Sequence, residues 1–281
     1  MDSLDKELYI FWHIYVNPNR LDRCKDIVNR QYDKIKNSGL LERCTCIYIG
    51  YVSTIPFPLS NILKNKKIKI LVHYKEGFEG VTTTALKKFC DERKNHNFAI
   101  LYIHNRGATR FPDSPSEDWT LMMEYFCIEN WKKGLSILSN KYTAGCEMWA
   151  HRSRIKQNDF IYHYSGNFWW ARSDYIRLLK YPTFENRNEE SEDWILQLAD
   201  KGISKTKFGI LHRTSQKKYE RGIVHSYLDR YPMEYYKKAN ETPDKKIDKN
   251  LFHGEHGIPP KKIDDFTWRL KTKNNRKLLK N

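Results

Sequence analysis

Three stretches of this chain carry side chains able to move protons, hold charge or stack on a ring. The densest is Asn188-Glu189-Glu190-Ser191-Glu192-Asp193-Trp194. A carboxylate held beside a hydroxyl can take its proton as a general base. Acidic residues at a helix start can equally do no more than complement the helix dipole. Glu189 and Glu190 fit that second role. Glu192 and Asp193, next to an aromatic ring, form the candidate catalytic pair, with Asp113 and Glu79 next in line. Adjacent helical residues point about 100° apart, so only one of the pair can face a pocket squarely.

The second stretch is Leu101-Tyr102-Ile103-His104-Asn105-Arg106-Gly107, which leaves an apolar strand and enters a glycine turn. Histidine and arginine at a strand end are suited to a diphosphate, and the glycine lets the backbone approach it. A purely structural turn is the other reading. The chain has neither a GxxxxGK[ST] phosphate loop nor a dinucleotide fingerprint. It also lacks Asp-x-Asp, so no metal ligands are assigned and no cofactor is required; Mn2+ is admitted but not favoured. His13 and Tyr15 on an early strand, Thr83 near a helix start and His212 after a late strand join His104, Asn105, Arg106 and Gly107 as candidates for a phosphate-bearing ligand. Each has a plainer alternative: a packed strand histidine, a helix cap, an exposed loop residue.

The third stretch, Ser165-Gly166-Asn167-Phe168-Trp169-Trp170-Ala171, holds three consecutive aromatic rings. They cannot all face one side of a strand, so at least one is expected on a second surface, either core or pocket. Asn167, Trp169, Trp170 and Trp194 are the candidate sugar contacts; a buried aromatic strand is the alternative.

The elements that must position these residues follow from periodicity. Tyr9 to Val16 is a continuous apolar run, the pattern of a strand buried on both faces. Arg20 to Ser38 reads as a helix stopped by Gly39. Cys44 to Tyr51, Lys67 to Tyr74 and Phe98 to His104 read as strands, with a helix at Thr82 to Lys94. This β-α-β order implies a parallel sheet, whose ligands sit beyond the strands' carboxyl ends. His13 to Asn17, His73 to Glu79 and His104 to Gly107 occupy those ends. A long helix from Asp118 to Leu138 follows. Further on come strands at Tyr142 to Met148 and His163 to Ala171, separated by a basic loop, then a short helix to Lys180. A helix from Glu192 to Asp200, a last strand from Lys205 to Leu211 and a helix from Tyr227 to Lys238 close the pattern. Residues 1–240 are expected to form one domain and 241–281 a basic polar extension.

Composition supports a folded chain, with 40% hydrophobic and 14% aromatic residues. The formal net charge of +16 suggests an anionic partner, although eight Lys/Arg against two Asp lie beyond residue 260. None of the six cysteines forms a CxxC pair, so zinc is not expected. The N-terminus lacks an apolar leader and no run approaches the ~20 residues of a membrane span. A reduced, cytoplasmic protein is the expectation. The rival to an enzyme is a basic nucleic-acid-binding protein, but no such motif appears and the clustered acids oppose a phosphate backbone.

Four segments resemble glycosyltransferases of bacteria and large viruses, particularly those of algal viruses. They are Phe11 to Tyr15, Tyr102 to Gly107, Ser165 to Ala171 and Glu192 to Trp194, spread in chain order over about residues 8 to 212. The Gly-Asn-Phe-Trp-Trp-Ala match is the most specific. The chain departs at Arg106, where those proteins carry Lys, so a guanidinium fork replaces a point charge. The resemblance implies an α/β glycosyltransferase A fold, a Rossmann-like, mostly parallel sheet flanked by helices, with a nucleotide-sugar half and an acceptor half. It implies transfer from a UDP-sugar, with UDP-xylose a reasonable first donor, to a glycan hydroxyl. Its Glu-x-Trp pattern favours Glu192 over Asp193 as base. Inversion at the anomeric carbon is the weaker preference.

Overall fold

Leu8-Tyr-Ile-Phe-Trp-His-Ile-Tyr15 has no polar alternation, so it needs cover on both faces, and the fold supplies it. The computed structural model describes residues 6–56, 60–110, 112–152, 160–182, 192–213 and 230–240. All lie in the first of two units, Met1–Glu241 and Thr242–Asn281. The expected extension beyond residue 240, and Glu189, Glu190 and Ser191, fall outside the described residues. Strand β1 (Leu8–Tyr15) lies inside a seven-stranded sheet of order β3-β2-β1-β4-β8-β5-β9. Its companions are β2 (Cys46–Val52), β3 (Ile68–Tyr74), β4 (Ala99–His104), β5 (Thr143–Cys146), β8 (Trp169–Arg172) and β9 (Phe208–His212). Only β8 runs against the other six. The mostly parallel sheet flanked by helices, inferred from the β-α-β order, is therefore the observed architecture.

One face of the sheet is covered by α1 (Leu21–Asn37), α5 (Pro115–Glu124) and α6 (Trp131–Leu138). Helix α1 buries Cys24, Ile27, Val28, Gln31 and Ile35, one stripe at helical spacing. It ends where Gly39 takes φ +77°, a left-handed stop that a β-carbon would strain. The short α2 (Leu40–Arg43) and α3 (Ser60–Leu63) follow. The other face is covered by α4 (Gly80–Glu92), α7 (Ser173–Leu178) and a 3-10 turn at Trp194–Leu196. Along β1, Leu8, Ile10, Trp12 and Ile14 enter the first layer and Tyr9 and Phe11 the second. A final helix, α8 (Met233–Asn240), brings Tyr236 against Tyr125 and Phe126.

Several expected elements are redrawn. The long helix breaks into α5, a π-helical turn at Tyr125–Glu129 closed by Asn130 N–H to Tyr125 O, and α6. The strand expected at His163 to Ala171 is two strands: β7 (Phe160–Tyr164), paired with β6 (Met148–Arg152), and β8. Gly166 and Asn167 turn the chain between them at φ +88° and +58°. The helix expected at Glu192 to Asp200 is only the 3-10 turn followed by further turns. All six cysteines are buried thiols. Among the described residues no helix is long and apolar enough to cross a membrane.

Buried charge ties α1 to α5. Glu124, fully buried, accepts from Arg30 Nε and Nη2 at 3.0 Å each and from Gln31 Nε2 at 3.0 Å, with Lys34 Nζ at 3.2 Å. Arg23 and Arg30 also reach Glu117. Gln31 passes the connection on: it donates to His104 O and accepts from Trp12 Nε1.

Candidate functional site

Parallel strands that end at one level leave a crevice beyond their carboxyl ends. Here a cleft of about 730 Å³ opens there. His13, Tyr15 and Val16 line it from the end of β1, and Ser53 and Thr54 from β2. The β3–α4 loop contributes Lys75 to Glu79, and the turn after β4 contributes His104 to Arg110. Pro18, Ser116 and Glu192 complete the wall.

The turn after β4 carries the cleft's charge. Gly107 has φ +87°, and a β-carbon there would meet nothing closer than 3.8 Å, so its conformation, not crowding, calls for glycine. Arg106 Nη1 stands 3.5 Å from Glu192 Oε1. Burial raises the Glu192 pKa first of all, against the lowering pull of Arg106. A carboxylate so shifted is a better proton acceptor near neutral pH. Lys75 and Arg110 add positive charge on the same walls.

His104 is buried, with its pKa lowered to about 4 by burial and then by Arg106. Its Nε2 donates to Gly166 O at 2.9 Å, since a carbonyl can only accept. Its Nδ1 is 3.4 Å from Glu79 Oε1. Both ring nitrogens thus face protein acceptors and neither is left for a ligand, which corrects the expectation that the ring offsets diphosphate charge. Asn105 is likewise spent: Oδ1 accepts from Tyr15 N at 2.9 Å, and Nδ2 donates to Tyr15 O at 2.7 Å. It ties the end of β4 to the end of β1 and positions Tyr15.

Glu192 and Asp193 part company. Glu192 faces the cleft, whereas Asp193 is 8% exposed and sits 4.0 Å from His163 Nδ1, away from it. Asp193 is withdrawn as a cleft carboxylate. Thr83 is fully buried, returns its hydroxyl to Gly80 O and does not line the cleft, so it satisfies helix backbone. His212 stacks on Phe126 at 4.2 Å and bonds Tyr231 OH at 2.9 Å, outside the cleft.

The sugar-contact expectation fails for a packing reason. Trp169 and Trp170 face opposite sides of β8, and both sides are core. Trp169 stacks on Tyr102 at 4.8 Å, and Trp170 donates to Cys127 O. Gly134 makes room for the Trp170 indole, which a β-carbon would meet at 2.6 Å. Trp194 is buried and donates to Lys180 O. Asn167, fully buried, accepts from Trp169 Nε1 at 2.8 Å and donates to Glu79 Oε2 at 2.6 Å. The aromatic faces that do line the cleft are Tyr15, 38% exposed, and Phe78, 52% exposed. Glu79, a reserve candidate in the sequence, is the hub of the floor: it gathers Tyr102 OH, Asn167 and His104 while lining the cleft. Its signal was position alone, at the carboxyl end of a parallel strand. Among the described residues no group of three or more His, Cys, Asp or Glu is arranged to hold a metal ion.

Residues 11–236 match the family model of a domain of unknown function, DUF8361. The chain belongs to that family. Among curated proteins nothing matches. Among solved structures, one of those it is similar to is a protein of Desulfovibrio desulfuricans G20 named as a candidate nucleotide-diphospho-sugar transferase. The identity is 11% and the TM-score 0.39, over 73% of this chain and 80% of that one. Another is the 4-diphosphocytidyl-2C-methyl-D-erythritol synthase of Anaerococcus prevotii DSM 20548, at 8% identity and TM-score 0.36 over 80% and 92% of the two chains. At such values the chemistry has to be argued from this chain's own residues.

Proposed function

We propose that this chain is a glycosyltransferase that moves a sugar from a nucleoside diphosphate sugar to a hydroxyl of a glycan. A UDP-sugar is the proposed donor, with UDP-xylose the first to try. The observation that carries the reading is Arg106 paired with Glu192 in one cleft at the strand ends, the carboxylate shifted by burial toward a stronger base. The Arg106 guanidinium matches a phosphate oxygen pair. When phosphate takes its place beside Arg106, Glu192 loses the neighbour that lowers its pKa and becomes more basic still.

The reaction then divides cleanly. Glu192 accepts the proton of the acceptor hydroxyl as that oxygen bonds the anomeric carbon. The bond from that carbon to the diphosphate breaks, and its electron pair leaves on the diphosphate oxygen. Arg106, with Lys75 and Arg110 on the same walls, stabilises the departing charge. General base catalysis of this kind contributes ~10²- to 10⁴-fold, and alignment of the two substrates supplies much of the rest. A single base opposite the leaving group gives inversion.

The test is a thermal-shift panel of UDP and UDP-sugars, run beside an oligonucleotide titration at two salt concentrations. A ligand at about 100 times its Kd stabilises by about 2.7 kcal/mol, enough to move the melting transition visibly. Stabilisation by a UDP-sugar is the expected result. Silence from every nucleotide, with oligonucleotide binding that collapses as salt rises, would replace the enzyme with a nucleic-acid-binding protein.

A further inference from the structure

Three neighbouring strands cross the cleft floor at one level. His13 on β1 is the register partner of Gly50 on β2 and of His104 on β4. His13 is 3% exposed and lines the cleft. Its Nδ1 is 2.8 Å from Thr82 Oγ1, while its other nitrogen, Nε2, has no protein partner among the described residues and is left for the cleft that the residue lines. The surroundings are built for this one imidazole. A β-carbon at residue 50 would stand 1.8 Å from Thr82 Oγ1, so glycine there admits the hydroxyl that orients His13.

Burial lowers the His13 pKa to about 4, with His104 lowering it further and Glu79 opposing. A neutral imidazole offers one hydrogen bond, as donor or acceptor according to what Thr82 does at Nδ1, and offers no charge. Charge for a phosphate stands on the other walls, at Arg106, Arg110 and Lys75.

We propose that His13 uses Nε2 to hydrogen-bond an uncharged group of the bound nucleotide sugar, a base edge or a sugar hydroxyl, and not its phosphates. This rests on the reading of the cleft as a nucleotide-sugar site.

The variants are His13→Asn, whose amide can keep the Thr82 contact while leaving nothing at Nε2, and His13→Gln, whose amide reaches the Nε2 position. Each is titrated calorimetrically with uridine, UDP and a UDP-sugar, from about pH 6 to about pH 8, where an imidazole of ordinary pKa would titrate. His13→Asn should lose about tenfold in affinity, one hydrogen bond's worth, and His13→Gln less. An equal loss for all three ligands assigns the base edge; a loss confined to the UDP-sugar assigns a sugar hydroxyl. Wild-type affinity should show no His13-dependent change over this pH range. Wild-type binding by His13→Asn overturns the proposal. So does affinity that falls with rising pH in the wild type but not in the variant, the mark of an imidazolium on phosphate. Should His13→Asn fail to fold, the 15N resonance of Nε2 in the wild-type protein decides: it shifts on ligand binding, or the proposal fails. A wild-type protein that binds none of the three ligands removes the nucleotide-sugar reading and this one with it.

Discussion

Mild acid should unfold this protein, because three histidines fold as neutral imidazoles. Burial lowers the pKa of His13 to about 4, of His104 to about 4 and of His212 to about 3. Histidine in an unfolded chain titrates near about 6.5. Between those values the unfolded state binds protons that the folded state refuses, so stability falls as pH falls. Each group is worth about 1.4 kcal/mol per pH unit over that window. Three together cost up to about 4 kcal/mol per unit, or roughly 5 kcal/mol between about pH 6.5, where the unfolded histidines are half protonated, and about pH 5. A domain's whole stability is about 5–15 kcal/mol. Glu192 pulls the other way: its pKa is raised, so its contribution is present in acid and lost as pH rises, which offsets part of the loss. The assay is the urea midpoint at several pH values with the slope m held constant. The midpoint should drop steeply below about pH 6.5, near the ordinary histidine pKa. His212→Phe, which keeps a ring against Phe126, should remove about a third of that drop, one titrating group of three. A midpoint unchanged down to about pH 5, well below the unfolded histidine pKa, would refute the neutral buried imidazoles.

Glu124→Ala would leave Arg30, Lys34 and Gln31 aimed at an empty buried position; a loss of about 3–5 kcal/mol is expected in chemical denaturation, and a loss below about 1 kcal/mol would show the ion cluster to be decoration. Arg106→Ala should weaken UDP binding and Arg106→Lys should fall between, because a point charge cannot make a bidentate contact; equal affinity in all three proteins takes Arg106 out of the site. With charge supplied by Arg106, Arg110 and Lys75, transfer should persist in EDTA, and complete loss restored by Mn2+ would expose a carboxylate ligand set not identified in the cleft. Truncation after Asn240 should leave the melting transition of the remaining chain in place, since the described elements lie within Met1–Glu241; its collapse would show that the extension is needed for folding.

The strand ends were legible in the sequence because a strand buried on both faces has to be apolar throughout, and β1 and β4 are. That pattern fixed the β-α-β order, and with it the positions of His13, Tyr15, Glu79, His104 and Arg106 around the cleft. The aromatic cluster misled for the same reason. Consecutive Trp169 and Trp170 require two surfaces, and the sequence does not say whether the second is a pocket or another core layer. The small residues opposite large rings, Gly134 beneath Trp170 and Gly145 beneath Tyr164, were the signal of a second layer, but they are remote in sequence. Glu192 and Asp193 could not be separated by helix geometry, because no regular helix forms there; a 3-10 turn sends one to Arg106 and the other toward His163. Phe78 and Arg110 lie in loops, where no periodicity marks a side chain's direction.

The central claim is that Glu192 takes the acceptor's proton in a sugar transfer that Arg106 assists. Turnover of a UDP-sugar by Glu192→Gln and by Asp193→Asn, followed as UDP release with the best-bound donor, tests it most directly. Glu192→Gln should keep donor binding and melting behaviour while turnover drops by ~100-fold or more, the range for losing a general base, and Asp193→Asn should stay active. A fully active Glu192→Gln protein would contradict the assignment and move the search for the base to Glu79.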